Sequence, residues 1–187
     1  MSLHKSILEK LKTKDRVIIA IDGPCASGKS TFAQDLCEEF DGVLFHMDDF
    51  FLPIGMKTEK RLNEIGGNVH YERFNKEVLN NIYNESLTYQ KYNCQKETLE
   101  SPITVGLPRV VIVEGAYSLR TDLRGLYDVT VLLAVETNTQ LDRLKKRNPK
   151  LLDRFINEWI PLENRYFEQE QLDQFVDYII DTTTIHK

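Results

Sequence analysis

Five short apolar runs divide the chain and predict the strands of one sheet. They lie at 16–21, 43–47, 109–113, 129–135 and 175–180. The runs are rich in valine and isoleucine, which is typical of parallel strands covered on both faces. Stretches with helical spacing lie between them, at 29–40, 71–84, 137–147 and 151–172. Alternating strands and helices predict βαβ units with right-handed crossovers, and therefore an α/β fold.

The pattern changes in three places. Before the first strand, four apolar residues at helical spacing predict a short amphipathic helix: Leu3, Ile7, Leu8 and Leu11. Segment 52–70, rich in glycine, asparagine and charge, predicts a long loop or short insert. Segment 85–108 predicts a small hairpin. Because both segments follow strand ends, where open α/β sheets bind ligands, we expect an acceptor-binding region over 52–108 of a single domain, 1–187.

Composition narrows the function classes. The 187 residues are 41% hydrophobic and 28% charged, with a net charge of −5. This charge argues against a nucleic-acid-binding face. No apolar run approaches the length that spans a membrane, and the first residues lack the apolar core of a signal peptide. The three cysteines, without metal-ligand spacing, favour a reducing, cytoplasmic location. None of these features determines an oligomeric state.

The chemistry begins at residues 23–30, Gly-Pro-Cys-Ala-Ser-Gly-Lys-Ser. They fit G-x-x-x-x-G-K-[ST], the phosphate-binding loop, between a predicted strand and a predicted helix. Backbone amides at a helix N-terminus bind polyphosphate, Lys29 supplies charge for the β and γ oxygens, and the Ser30 hydroxyl can hold Mg²⁺. The predicted nucleotide contacts are Gly23, Pro24, Cys25, Ala26, Ser27, Gly28, Lys29, Ser30 and Thr31.

Two adjacent acids, Asp48 and Asp49, follow the second strand. A carboxylate near the γ-phosphate can accept the proton of an attacking hydroxyl, as a kinase requires. In an extended backbone the two side chains point to opposite sides, so only one is expected to reach the hydroxyl. A solvated turn is the alternative interpretation.

A third acid, Glu114, ends the apolar run 110–113 and precedes Gly115. This is the Walker-B pattern with glutamate in place of aspartate, and such an acid holds Mg²⁺ directly or through water. The predicted metal ligands are therefore Ser30, Glu114 and Asp48. A strand-end acid without a metal remains the alternative.

Basic residues crowd the end of the helix at 137–147 and continue beyond it: Arg143, Lys145, Lys146, Arg147, Arg154 and Arg165. Such a run is often a solvated face. Its place between the fourth and fifth strands favours a lid over about 143–155, whose arginines neutralise charge in phosphoryl transfer. Two aromatic and polar patches, at 70–74 and 92–95, could bind an acceptor or could be ordinary helix capping and packing.

The motifs together resemble the uridine kinase-like group of P-loop kinases, which includes nicotinamide riboside kinases. The matching stretches lie at 21–31, 47–53, 111–117 and 143–147. The resemblance implies a three-layer α/β/α P-loop fold with a five-stranded parallel sheet, order 2-3-1-4-5, and a lid. It also implies ATP and Mg²⁺ as donor and metal, Asp48 as the general base, Tyr92 against the acceptor's base, and lid arginines at Arg143 and Arg147.

The chain departs from that family in two places. Uridine kinases usually carry Asp-His-Pro-Asp-Ala-Phe where this chain has 69–74, Val-His-Tyr-Glu-Arg-Phe. The leading acid is missing or replaced by His70, and Glu72 is a possible match for the second. The lid lacks the fuller Arg-Asp-x-x-x-Arg-Gly pattern. The expected acceptor contacts are Asp48, His70, Glu72, Arg73, Tyr92 and Glu114.

The sequence therefore predicts an ATP-dependent kinase that phosphorylates a hydroxyl of a small, nucleoside-like molecule. Another alcohol, such as pantothenate, is a second acceptor type. Two other classes stay open. Residues 122–125 spell D-x-x-G, a switch motif of GTPases, although the chain has no Asn-Lys-x-Asp guanine reader. The altered segment at 69–74 also suits an ATP-binding regulatory protein without acceptor activity.

Overall fold

A parallel five-stranded sheet forms the centre of the computed structural model, which describes residues 1–185. Its strands are β1 (Val17–Asp22), β2 (Val43–His46), β7 (Val110–Glu114), β8 (Val129–Ala134) and β9 (Tyr178–Asp181). Four short strands lie outside it: β3 (Ser86–Tyr89), β4 (Tyr92–Asn93), β5 (Thr98–Leu99) and β6 (Ile103–Gly106). The sheet order is β2-β7-β1-β8-β9, and every pair is parallel. Counted along the chain, this is the predicted order 2-3-1-4-5.

Within residues 1–185, eight helices connect and cover the strands. They are α1 (Leu3–Leu11), α2 (Lys29–Glu39), α3 (Glu59–Leu62), α4 (Tyr71–Glu77), α5 (Thr121–Arg124), α6 (Thr137–Arg147), α7 (Leu152–Arg154) and α8 (Ile160–Glu170). A π-helical turn, Phe155–Trp159, joins α7 to α8, so the helix predicted over 151–172 is segmented. The helix predicted over 71–84 ends early, because the Asn81 amide donates to the carbonyls of Lys76 and Glu77.

The alternation of side chains along each strand builds a core on both faces of the sheet. In β1, Val17, Ile19 and Ile21 face α1 and α2, while Ile18 and Ala20 face the other way. That second core includes residues from α4, α5 and α8: Phe74, Leu123 and Tyr166. All six residues of β1 are buried, as the apolar run predicts for a central strand. The result is the three-layer α/β/α arrangement.

The polar segments form small structures beside the sheet. Segment 85–108 contains two antiparallel pairs, β3 with β6 and β4 with β5, in agreement with the predicted hairpin. Segment 52–70 contains α3 and a single turn of 3-10 helix at Ile54–Met56. The predicted single domain extends to residue 187, and its last two positions lie outside the described residues. No helix within residues 1–185 is long and apolar enough to cross a membrane.

Gly115→Ala is predicted to destabilise this fold. Gly115 follows β7 with a φ of 137°, and an added Cβ would lie 2.7 Å from the Met47 Cβ. We expect the free energy of unfolding, measured by urea denaturation, to fall by about 1–3 kcal/mol.

Gly125→Ala is the matched control. Gly125 has a φ of −67°, and an added Cβ would meet nothing within 4 Å. Its effect should stay within about 0.5 kcal/mol. Equal losses in the two variants would contradict the steric argument.

Candidate active site

The phosphate-binding loop runs from the end of β1 to the start of α2. Gly28, the residue before α2, has a φ of 90°, which a glycine adopts without strain. Ala26 also has a positive φ, 59°. Left-handed residues that alternate with ordinary ones turn the backbone into a concave nest, and the first amides of α2 have no partner within the helix. The curved loop therefore presents amide groups to an anion.

Every carbonyl oxygen from Gly23 to Gly28 accepts a hydrogen bond. The donors to the first four are, in order, Lys29 Nζ, Lys29 Nζ, Gln140 Nε2 and Arg143 Nη1, at 2.8–3.2 Å. The Ser27 carbonyl accepts from Thr182 Oγ1 at 2.8 Å, and the Gly28 carbonyl accepts from the Phe32 amide within α2. With its carbonyls bonded in this way, the loop holds its remaining amides for a ligand.

Ser30 and Glu114 meet next to the loop. Ser30 Oγ donates to Glu114 Oε1 at 3.1 Å, and His46 Nδ1 lies 2.5 Å from the same oxygen. Glu114 is buried at the end of β7, where it pairs in register with His46 of β2. The hydrogen bond and the charge of Glu114 raise the pKa of His46. The predicted pairing of Ser30 with Glu114 is therefore present, with His46 as an additional partner.

Asp48 and Asp49 differ in their surroundings, although for another reason than the sequence predicts. Residues Met47–Phe50 form a 3-10 turn and not an extended strand, so the expected alternation is wrong here. Asp49 Oδ2 lies 3.0 Å from Lys91 Nζ in an ion pair. The Asp48 side chain is solvent-accessible. Desolvation by the surrounding protein, followed by the charge of Glu114, raises the pKa of Asp48, whereas the charge of Lys29 lowers it. Asp48 is thus the carboxylate near the loop.

The arginines of α6 contribute in different ways. Arg143 donates to the carbonyl oxygens of Ala26, Thr182 and Ile185, so it supports the loop from outside and its donors are occupied there. This corrects the expectation that it projects from a lid onto phosphate. Arg147 lines a small cavity at the loop, together with Gly28 to Thr31. It is the lid arginine whose position suits phosphate.

A larger cavity of about 620 Å³ opens on the α6 side of the loop. Its volume lies in the range of small-molecule sites. The lining includes Phe32, Thr31, Lys146 and Thr182, as well as the two arginines of α6. The cavity therefore adjoins the phosphate-binding loop and has both an aromatic and a cationic wall.

The polar side chains of segment 69–74 mostly form hydrogen bonds with other residues of this protein. Arg61 donates to both carboxylate oxygens of Glu72, at 2.6 and 2.8 Å. Burial alone would raise the pKa of Glu72, but these bonds hold it down at about 2. His70 caps α4 through Nδ1, which accepts from the Arg73 amide. The Arg73 guanidinium binds Glu77 and the Asp49 and Gln90 carbonyls, so it positions the Asp49 turn.

Tyr92 lies in β4, which packs against the turn that carries Asp48. The ring is buried, and among the described residues its hydroxyl has no hydrogen-bond partner. Tyr92 and the turn of Asp48 are therefore neighbours in the fold. Whether its ring contacts an acceptor stays a prediction.

The residues present fit a magnesium ion with few protein ligands. The Ser30 hydroxyl and the Glu114 carboxylate lie together, and Asp48 is close enough to respond to the charge of Glu114. Within residues 1–185 no group of three or more His, Cys, Asp or Glu forms a cation site. Mg²⁺ commonly takes one or two carboxylates and completes its shell with water and substrate phosphates, so this set suits it.

Sequence reasoning missed several residues that support the loop. Asp22, fully buried, accepts from the Gly23 and Leu119 amides and from the Tyr166 hydroxyl. Its place directly before the loop was a usable signal. Glu163 accepts from the Cys25 amide at 2.8 Å, and Gln140 and Thr182 bind the loop carbonyls. These last three come from distant segments without motifs, so nothing in the linear pattern marked them.

Comparison with known proteins connects this geometry to a class. No family model matches the chain. A uridine kinase from Listeria welshimeri is 22% identical over 198 residues, covering 90% of this chain and 88% of the relative. Uridine-cytidine kinase D from Dictyostelium discoideum is 28% identical over 142 residues, covering 74% of this chain and 27% of that longer protein.

Solved structures agree on the fold. A possible uridine kinase from Bacillus stearothermophilus superimposes with a TM-score of 0.72 at 24% identity, covering 97% of this chain and all of the other. A candidate fructose transport system kinase from Silicibacter has a TM-score of 0.76 at 22% identity, with 96% and 98% covered. The fold and the phosphate-binding loop are those of P-loop kinases, and the similarities support a protein of this class. The resemblance to its uridine kinase-like group is confirmed over nearly the whole chain.

Lys29→Ala is predicted to weaken binding of ATP, because it removes the ammonium group that bridges the loop. The loss of one charged hydrogen bond, about 1.5–3 kcal/mol, corresponds to an affinity about 10- to 100-fold lower by calorimetry. Lys5→Ala, at an exposed position of α1, should bind ATP like the unmodified protein. Unchanged affinity in Lys29→Ala would contradict the loop assignment.

Proposed function

We propose that this kinase transfers the γ-phosphoryl group of ATP to a hydroxyl group of a nucleoside-like molecule. The observation that carries the proposal is the place of Asp48. Its accessible carboxylate lies close enough to Lys29 and Glu114 to respond to both charges. A general base beside a phosphate-binding loop is what alcohol phosphorylation requires.

In the proposed reaction, Asp48 accepts the proton of the acceptor hydroxyl while the hydroxyl oxygen forms a bond to the γ-phosphorus. The bond from that phosphorus to the bridging oxygen breaks, which yields ADP and a phosphate monoester. The raised pKa of Asp48 makes its carboxylate a stronger base than that of an ordinary aspartate, while the charge of Lys29 favours the ionised form.

The residues around the phosphates stabilise and orient the donor. The amides at the start of α2 and the Lys29 ammonium would bind the β and γ oxygens, and Arg147 would add charge from the α6 side. Segment 143–155 is proposed as the lid that excludes water. Ser30 and Glu114 would hold Mg²⁺, with Asp48 beside them. When bound, the ion neutralises charge on the phosphates and aligns them.

Several features support a nucleoside-like acceptor in the 52–108 region. Tyr92 is buried beside the Asp48 turn, and its hydroxyl, without a partner among the described residues, is a polar group that an acceptor would meet there. His70 and Glu72 lie on the segment where related kinases carry the acids that bind ribose. Because Arg61 already holds both oxygens of Glu72, that carboxylate would reach acceptor hydroxyls only with its remaining lone pairs. The acceptor is therefore proposed by class and not by name.

Asp48→Asn should lower kcat by about 10²–10⁴ while ATP affinity stays nearly intact, since the variant keeps the shape and loses the base. Asp49→Asn is the matched control. Asp49 is the residue next to Asp48 in the chain. Its substitution removes the ion pair with Lys91 and should lower kcat by less than about tenfold. Equal turnover in Asp48→Asn and the unmodified protein would remove Asp48 from the base role.

A panel assay identifies the acceptor. The protein is incubated with MgATP and single nucleosides, vitamins or sugars, and ADP release is followed, with Asp48→Asn as the blank. Acceptor-dependent ADP release and a phosphorylated product are expected for a nucleoside. Acceptor-independent hydrolysis with a preference for GTP would favour a switch or hydrolase. Tight ATP binding without turnover on any compound would favour a regulatory protein.

A further inference from the structure

Cys25 makes more contacts than its small side chain suggests. Its amide donates to Glu163 Oε2 at 2.8 Å, and burial, followed by the charge of Glu163, raises the pKa of its thiol. From the opposite side, Gln140 Nε2 donates to the Cys25 carbonyl at 2.9 Å and lies 3.3 Å from its sulfur. All three polar groups of this loop residue are therefore bonded to side chains of α6 and α8.

Glu163 is an unusual residue to find in this place. It is 7% exposed, on the inner face of α8, and belongs to a helix that the loop meets only in the folded state. Burial raises its pKa, whereas the charge of Lys29 and the bonds from Cys25 favour the carboxylate. A buried carboxylate persists only where such partners compensate for lost water. The phosphate-binding loop therefore has a buried carboxylate beside it that takes no part in the proposed phosphoryl transfer.

A second contact fixes α8 against the same loop. One turn beyond Glu163, the Tyr166 hydroxyl donates to Asp22 Oδ2 at 2.7 Å, and Asp22 Oδ1 accepts from the Gly23 amide at 2.6 Å. The two acids thus hold two amides of the loop, at Gly23 and Cys25. Because Glu163 and the fully buried Tyr166 belong to the same helix, a shift of α8 would loosen both contacts.

We propose that Glu163 is a positioning residue for nucleotide binding: it holds the Cys25 amide, and so keeps the loop in the curve that receives the phosphates. Glu163 acts through Cys25 and does not itself contact the donor. A flexible loop would have to be ordered at the expense of binding energy, whereas a loop already held in shape avoids this loss. The proposal rests on the proposed nucleotide site and deepens it.

Calorimetric titration with ADP tests the proposal. Glu163→Met keeps the length of the side chain and removes both acceptor oxygens, so ADP affinity should fall about tenfold. Glu163→Gln keeps one acceptor oxygen for the Cys25 amide, and its affinity should stay within about threefold. Glu168→Met, at an exposed position of the same helix, is the matched control and should bind like the unmodified protein.

If Glu163 only stabilised the fold, the loss of ADP binding in Glu163→Met would be explained by the unfolded fraction of that variant. Glu163→Met should raise the KM for ATP and leave the KM for the acceptor unchanged, and melting curves should give the folded fraction at the assay temperature. ADP affinity equal to that of the unmodified protein, or equally poor in the Gln and Met variants, would overturn the proposal. So would a loss fully explained by the unfolded fraction.

A second measurement decides the question even if Glu163→Met does not fold. Because Glu163 holds the Cys25 amide before any nucleotide binds, that amide should exchange its hydrogen slowly in the unmodified protein without ADP. Exchange as fast as that of an exposed amide would contradict the proposal. Failure of the unmodified protein to bind ADP would instead overturn the proposed function.

Discussion

The hydrogen bonds to the outer carbonyls of the phosphate loop are the constraint on which the site depends. A backbone that curves toward an anion has its amides on the concave side, and its carbonyl oxygens must then be satisfied elsewhere. Here Lys29, Gln140, Arg143 and Thr182 supply most of the donors. They come from three parts of the chain, so the loop holds its shape only when the whole sheet is assembled.

The parallel sheet also determines the electrostatics of the cleft. Parallel strands end at one edge, which brings together Asp22 from β1, Glu114 from β7 and Asp48 after β2. Three carboxylates near a site for polyphosphate would repel it if they were unopposed. Lys29 is the half-buried counter-charge, and the same acids suit a divalent cation. The proposed need for Mg²⁺ follows from this concentration of negative charge.

Much of the fold could be predicted because its signals are local. Strand positions agree with the apolar runs to within one to three residues, since a central strand is buried on both faces wherever it lies. The phosphate loop was evident from spacing alone. The Asp48 turn was not, because Met47–Phe50 follow the strand with no glycine or proline to mark the change to 3-10 geometry. The early end of α4 depended on the Asn81 side chain, a weak local signal.

The sequence by itself determined the class of fold, the loop that receives phosphate and the acids that surround it. These features depend on residues that are near one another in the chain, where periodicity and spacing carry the information. Only the tertiary structure decided what holds the loop. Glu163, Gln140 and Thr182 lie more than 100 residues beyond it and carry no motif, because their role depends on where three separate helices and strands meet. The same applies to Arg143, which the pattern marked as a phosphate contact and the fold uses as a support.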